Sequence, residues 1–298
     1  MRLTSASMND QLIAQLQQLN SQQTTLQNEV STGQRIFQPG DDPLAVSQVA
    51  ADQMEQSALT QAGKNADTAL AASQNTTAGL NQIKALSDRA SELAVLGSGT
   101  IGTSSMQAYA TEANQLLEQA VTAGNSNVAG NYLFAGNALS TSPFTVTRDA
   151  SGQITAVAYA GSANSASVPL GNGASVQPST DGTTNAALAA FMNQLVALRN
   201  GLQAGDTTAT QATAAPLTTS SDTIVNALSE QGAVQSRIQI TQTQQQSRLT
   251  ELGQEISNAS SADLPSTIVK LNQTSQAYQA ALAASSKFMS TSLLDYLK

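Results

Sequence analysis

The sequence predicts a mainly α fold, a long antiparallel helical rod or coiled coil carrying a small inserted β domain. Three observations lead there. Apolar and small residues recur at alternating steps of four and three at both ends of the 298-residue chain and again through its last third. Aromatics are only 3% of residues and Trp is absent, too little to fill a thick globular interior, whereas the abundant Ala, Ser, Thr, Gln and Asn suit slender helix packing. Between the helical patterns lies one stretch, residues 137–184, where the 3.6-residue period gives way to Gly, Ser, Thr and Asn with β-type runs.

The first helix is expected over 7–32, with Leu12, Leu16, Leu19, Gln23, Leu26 and Val30 as its seam. Gly33 fits a C′ position and Pro39-Gly40 breaks the chain. Asp42 as N-cap, with Pro43 at the first helical position, starts a second helix over 44–96. Its centre is weakly apolar (Leu59, Ala62, Ala66, Ala69, Ser73) and its end stronger (Leu80, Ile83, Leu86, Ala90, Leu93). After the connector Gly97–Gly102, Ser104 with Gln107 predicts a capping box for a third helix, which sets Met106, Tyr109, Ala113, Leu116 and Ala120 on one face.

Tyr132–Gly136 reads as a buried strand or extended segment. Phe144–Arg148 and Ile154–Tyr159 flank Asp149-Ala-Ser-Gly152 as a hairpin, and a further strand is expected around 165–170. Helix returns over 185–203 and ends at Gly205-Asp206. One long helix then runs over 208–257, kinked or delayed by Pro216. Its seam is Leu217, Ser221, Ile224, Leu228, Gln231, Gln235, Ile238, Gln242, Gln245, Leu249, Leu252 and Ile256, and the glutamines make the middle a weaker, more adaptable contact. Ser260–Ala262 ends that helix and Asp263 caps the last one. The final seam is Leu264, Ile268, Leu271, Ser275, Tyr278, Leu282, Ser285, Met289, Ser292 and Tyr296, closing on Leu293-Leu294-Asp295-Tyr296-Leu297.

The plan is palindromic. An N-terminal assembly helix (1–42) leads into outgoing rod helices (43–136), the β insertion (137–184), returning rod helices (185–259) and a C-terminal assembly helix (260–298). Both termini are expected at one end of the rod and the β domain at the other.

The missing residue types narrow the function. Without Cys there is no disulfide, thiolate metal site or Cys nucleophile, and without His the commonest general base and metal ligand are gone. Net charge is −8 and the few Lys and Arg are scattered, so there is no electrostatic footprint for nucleic acid. No apolar run approaches the about 20 residues of a membrane span, and the first residues lack the apolar core of a secretory signal. Gly97, Gly99 and Gly102 match G-x-G-x-x-G, but with no strand before them they read as a helix–helix turn. Asp41 and Asp42 are adjacent, point apart and have no third ligand nearby, so capping explains them. The sequons at Asn75, Asn258 and Asn272 are treated as chance. No catalytic, metal or cofactor-binding residue is assigned, no cofactor is expected, and the chain reads as a non-enzyme that binds neither nucleic acid nor membrane.

The seams at the two ends carry the functional reading. A chain end is normally the part least worth ordering. One apolar stripe on the last thirty-five residues does not offset the entropy of fixing them unless something covers the helix along its length. Charge is sparse in the first thirty-two residues, so copies of this surface can be buried together without stranding many ions. The expected assembly interface is Leu12, Leu16, Leu19, Leu26 and Val30 with Leu264, Ile268, Leu271, Tyr278, Leu282, Met289, Leu293 and Tyr296, and the expected helix caps are Asp42 and Asp263.

Four motifs then give a resemblance. They are Met1-Arg2-Leu3-Thr4-Ser5, Ser31–Ile36 running into Pro39-Gly-Asp-Asp-Pro43, Gly130-Asn-Tyr-Leu-Phe-Ala-Gly136 followed by Ser142-Pro-Phe144, and Ser292-Leu-Leu-Asp-Tyr-Leu297. In this order and position they resemble the bacterial flagellin family, most closely its hook-associated protein 3 branch. Gly40 departs from the Ser often found there. The resemblance implies a structural protein of the hook–filament junction, exported through the flagellar type III apparatus with a dedicated chaperone. It further implies assembly into a homo-oligomeric ring between a hook-side junction protein and flagellin, with terminal helices that fold on assembly. A filament flagellin is the alternative reading, and a membrane-active helical translocator a distant one.

Overall fold

The computed structural model describes the backbone of residues 2–99, 102–171 and 173–296 and the side chains of 10–99, 102–171 and 173–287. The fold is mainly α. In chain order it runs α1 (Arg2–Thr32), α2 (Pro43–Gly97), α3 (Thr103–Gly124), β1 (Asn127–Val128), β2 (Asn131–Tyr132), β3 (Phe144–Arg148), β4 (Ile154–Tyr159), β5 (Val168–Gly171), β6 (Ala174–Val176), α4 (Gly182–Ala204), α5 (Thr207–Ala212), α6 (Ala214–Ser260) and α7 (Leu264–Tyr296). The chain divides into two compact units, residues 1–57 with 249–298, and residues 58–248.

In the larger unit the predicted stripe of α2 is the buried one. Leu59, Ala62, Ala66, Ala69, Leu80, Ile83, Leu86, Ala90 and Leu93 are all buried. The later part of this stripe, from Leu80 on, shares one core with α3, α4, the first turns of α6 and the aromatics Phe134, Phe144 and Phe191. Arg89 of α2 bridges Glu92 on its own helix and Glu112 on α3. The seam of α6 also stands as read, each residue from Leu217 to Ile256 being buried or half-buried. Its glutamines find partners across an antiparallel neighbour. Gln231 accepts from Ser73 Oγ at 2.8 Å, while Gln235 donates to Thr77 and Gln242 to Asp67.

The strands form three separate antiparallel pairs, β1–β2, β3–β4 and β5–β6. Two asparagines dock the β3–β4 hairpin on helices. Asn125, the C-cap of α3, donates to Phe144 O at 2.8 Å and accepts from Phe144 N at 2.9 Å. Asn193 of α4 does the same for Val157 of β4, at 2.8 and 2.9 Å. A side-chain amide has the donor–acceptor pair of a peptide group, so each Asn substitutes for a missing neighbouring strand. The β5–β6 hairpin lies along the helices, with Leu170 and Val176 in a second apolar cluster with Ala66, Ala69 and Ile238.

Several expectations are corrected. The capping box at Ser104 is absent: Gly102 is the N-cap, in extended conformation, and no side chain caps the helix. Tyr132–Gly136 is the end of a two-residue strand followed by turns. Gly130 and Gly136 take φ of 85° and 63°, which tuck Phe134 and Ala135 inside with no exposed surface. The strand at 165–170 is half of a hairpin whose other half, β6, lacks any alternating pattern. Asp181 caps α4 earlier than expected, accepting from Thr184 N at 2.8 Å. The helix over 208–257 is two, broken at Thr213; of the two expected effects of Pro216 the delayed start holds, since it sits in the first turn of α6, where its missing N–H costs nothing.

Candidate assembly interface

The smaller unit contains α1 and α7, which pack on each other. The connector between α1 and α2 is tied to the end of α6. Gly33 closes α1 at φ 71°, its N–H bonding to Glu29 O at 2.8 Å, the left-handed cap that only glycine adopts cheaply. Arg35 N then donates to Ser260 O at 2.7 Å, and Ala262 N returns a bond to Gly33 O at 2.9 Å. The Arg35 guanidinium reaches the Asp42 carboxylate at 3.0 Å and the Ala259 carbonyl at 2.9 Å.

The paired aspartates have different tasks. Asp42 is the N-cap of α2, its Oδ1 accepting from Ala45 N at 3.1 Å. Asp41 ties the connector instead, accepting from Phe37 N at 2.9 Å and Gln38 N at 2.8 Å. Those backbone donors hold the Asp41 carboxyl below its ordinary range, and the Ala45 N–H and Arg35 do the same for Asp42. At α7 the contribution of Asp263 is its backbone carbonyl, which accepts from Thr267 N at 2.9 Å.

Along α1 the half-buried positions include Leu12, Leu16, Leu19, Gln23, Leu26 and Val30, the residues of the predicted seam. Along α7 the contact face keeps Leu271, Ser275, Tyr278 and Ser285 of the predicted seam but not the rest. Thr267 is buried, and Leu271, Thr274, Ser275, Tyr278, Ala281 and Ser285 are half-buried, whereas Leu264, Ile268 and Leu282 remain 41%, 45% and 44% exposed. The face toward α1 is rotated by roughly 50° from the apolar stripe, half of one residue's turn. Thr267, Thr274 and Ala281 put short side chains on that face beside Leu271 and Tyr278, while Leu264, Ile268 and Leu282 stand on the flank. The side chains of Met289, Leu293 and Tyr296 lie outside the described residues.

The flank is therefore apolar and open. Leu264, Ile268, Val269 and Leu282 of α7 and Ile13 of α1 leave over 40% of their surface in water. Near the connector, a groove of about 370 Å³ is lined by Ile36, Phe37, Pro39, Val46, Val49 and Ile256. Leu44 and Met54 on the same unit are 81% and 70% exposed. Sequence reasoning missed Ile13, Val269, Leu44 and Met54 because they fall off the heptad seam. It missed the tie made by Arg35 because the partner carbonyl is over two hundred residues away.

Among the described residues no helix is long and apolar enough to cross a membrane. A family model, the bacterial flagellin N-terminal helical region, matches residues 4–138. No curated protein sequence matches the chain. Solved structures share its fold. The FlgL protein of Bacillus cereus is 23% identical with a TM-score of 0.60, over 70% of this chain and 99% of that one. The FlgL protein of Xanthomonas campestris is 15% identical with a TM-score of 0.56, over 69% and 99%. The flagellar junction protein FlgL of Legionella pneumophila is 12% identical with a TM-score of 0.54, over 72% and 100%. Residues 4–138 thus resemble the bacterial flagellin N-terminal helical region, and the chain folds as the FlgL proteins do.

Proposed function

We propose that this protein is a structural subunit of the bacterial flagellum that builds the junction layer between hook and filament through coiled-coil assembly of α1 and α7. The observation that carries the proposal is the apolar flank of that helix pair. Ile13, Leu264, Ile268, Val269 and Leu282 are large, apolar and open, and three of them belong to the α7 seam, whereas the seams of α2 and α6 are buried or half-buried. Such a surface on a two-helix pair is covered when neighbouring subunits pack around it. Leu12, Leu16, Leu19, Leu26 and Val30, with Leu271 and Tyr278, hold the pair together. Leu264, Ile268 and Leu282, continued by Met289, Leu293 and Tyr296, meet the neighbours.

The partners follow from that role. Copies of the chain form a ring, a hook-side junction protein lies below it, and flagellin lies above. The subunit reaches its place by flagellar type III export with a chaperone, and it carries out no catalysis. Deleting residues 264–298 tests the proposal. The unit formed by residues 58–248 stays folded and the truncated protein fails to enter flagella. Incorporation of the truncated protein at the normal level would overturn it. Long filaments growing from the purified full chain alone would point instead to a filament flagellin.

A further inference from the structure

We propose that the cleft between the β5–β6 hairpin and α6 binds a neutral saccharide of about disaccharide size. The cleft encloses about 460 Å³, within the range of small-molecule sites. Its floor carries an unusual group. Gln231 is 4% exposed, and its Oε1 accepts from Ser73, but no described residue accepts from its Nε2. Gln231 lines the cleft, and with Oε1 held by Ser73 its Nε2 is the polar atom left for a ligand there. An amide N–H at the edge of a cleft is a donor that a ligand oxygen can take up in place of solvent.

The rim has matching groups. Among the described residues neither Glu230 nor Arg237 is engaged in an ion pair. Asp181 uses Oδ1 to cap α4, and Ser175 and Ser179 add hydroxyls. Two carboxylates and one guanidinium disfavour a simple anion and a simple cation alike. Glu230 and Arg237 are seven residues apart on α6, a rise of roughly 10 Å, too far for the two charges of one α-amino acid. A sugar hydroxyl both donates and accepts, so adjoining hydroxyls can accept from Gln231 and Arg237 and donate to Glu230 and Asp181. Two linked rings span the distance. The cleft has no aromatic side chain, so hydrogen bonds alone hold the ligand and a dissociation constant on the order of 1 mM is expected.

The test is titration of the ¹⁵N-labelled full chain with maltose and with N,N′-diacetylchitobiose, with trialanine as a peptide probe. The expected result is saturable shifts at the Gln231 side-chain amide and at residues 175–181 with at least one disaccharide. Glu230→Ala and Arg237→Ala should each weaken that binding about tenfold, the effect of one hydrogen bond to a charged group, while leaving the circular dichroism melt unchanged. No shift with either disaccharide, shifts that both variants leave intact, or stronger binding of trialanine at the same signals would overturn the proposal.

Discussion

Replacing both Ile268 and Leu282 by serine probes the apolar flank of α7 at its two most regularly placed residues, fourteen positions and about four turns apart. Each exposes close to half of its surface in the monomer, 45% and 44%. Full burial of a Leu or Ile side chain contributes about 1.5–3 kcal/mol, so covering the open half contributes about 0.7–1.5 kcal/mol per residue. Two residues then withdraw about 1.5–3 kcal/mol from each subunit contact, a factor of about 10 to 100 in the equilibrium for joining the assembly. Competition measures this directly. Wild-type and doubly substituted subunits are co-expressed in a motile host, and their ratio in isolated flagella is read from distinguishing peptides by mass spectrometry. The substituted chain should be depleted by that factor. A control pair on the side of α7 away from that flank, the exposed Ala277→Ser with Ala284→Ser, should be incorporated evenly. If the chain carrying Ile268→Ser and Leu282→Ser entered flagella as well as wild type, the flank would not be an assembly surface.

Three further outcomes are expected. Phe134→Ala empties a fully buried ring site beside Gly79 and should lower the stability of the 58–248 unit by about 3–5 kcal/mol in urea unfolding followed by circular dichroism. Gly136→Ala should cost about 2–5 kcal/mol by the same measurement, because φ is 63° and the added Cβ falls 2.6 Å from Ser162 O and 2.7 Å from Asn164 O. Acid should loosen the connector of the smaller unit. The folded-state pKa values of Asp41 and Asp42 are depressed, so their stabilisation is fully present above the ordinary carboxylate range near about 3.9 and is lost as pH falls through the lower folded values. Amide protection factors at Phe37, Gln38 and Ala45 should be steady from neutral pH to about pH 5 and collapse at lower pH, and protection that survives there would contradict this account.

Local chemistry made much of the fold legible. Asp42-Pro43 starts α2 because a side-chain acceptor and a fixed φ act within one turn. Gly33 and Gly205 stop helices because each must take a positive φ, 71° and 66°. The β3–β4 hairpin was visible in its alternating runs. The α6 seam was visible even through its glutamines, because spacing alone places a residue on the contact face. Less was legible wherever a distant partner decides. Ser104 has the right spacing for a capping box, yet the chain enters α3 through Gly102. The short β6 strand forms only because Val176 finds Leu170 and the helices behind it.

The contact face of α7 shows the same limit. Its apolar residues repeat without a slip, and a hydrophobic pattern points to them as the seam. The helix buries or half-buries Thr267, Thr274 and Ala281 beside Leu271, Ser275, Tyr278 and Ser285 of that seam, and keeps Leu264, Ile268 and Leu282 open. By itself the sequence determined the long helices, several of their ends and the β3–β4 hairpin, because these follow from backbone geometry and periodicity over a few residues. Only the tertiary structure decided which stripe of α7 is spent within the monomer and which is left over. That choice depends on how near two helix axes can come, and the axes meet through residues far apart in the chain.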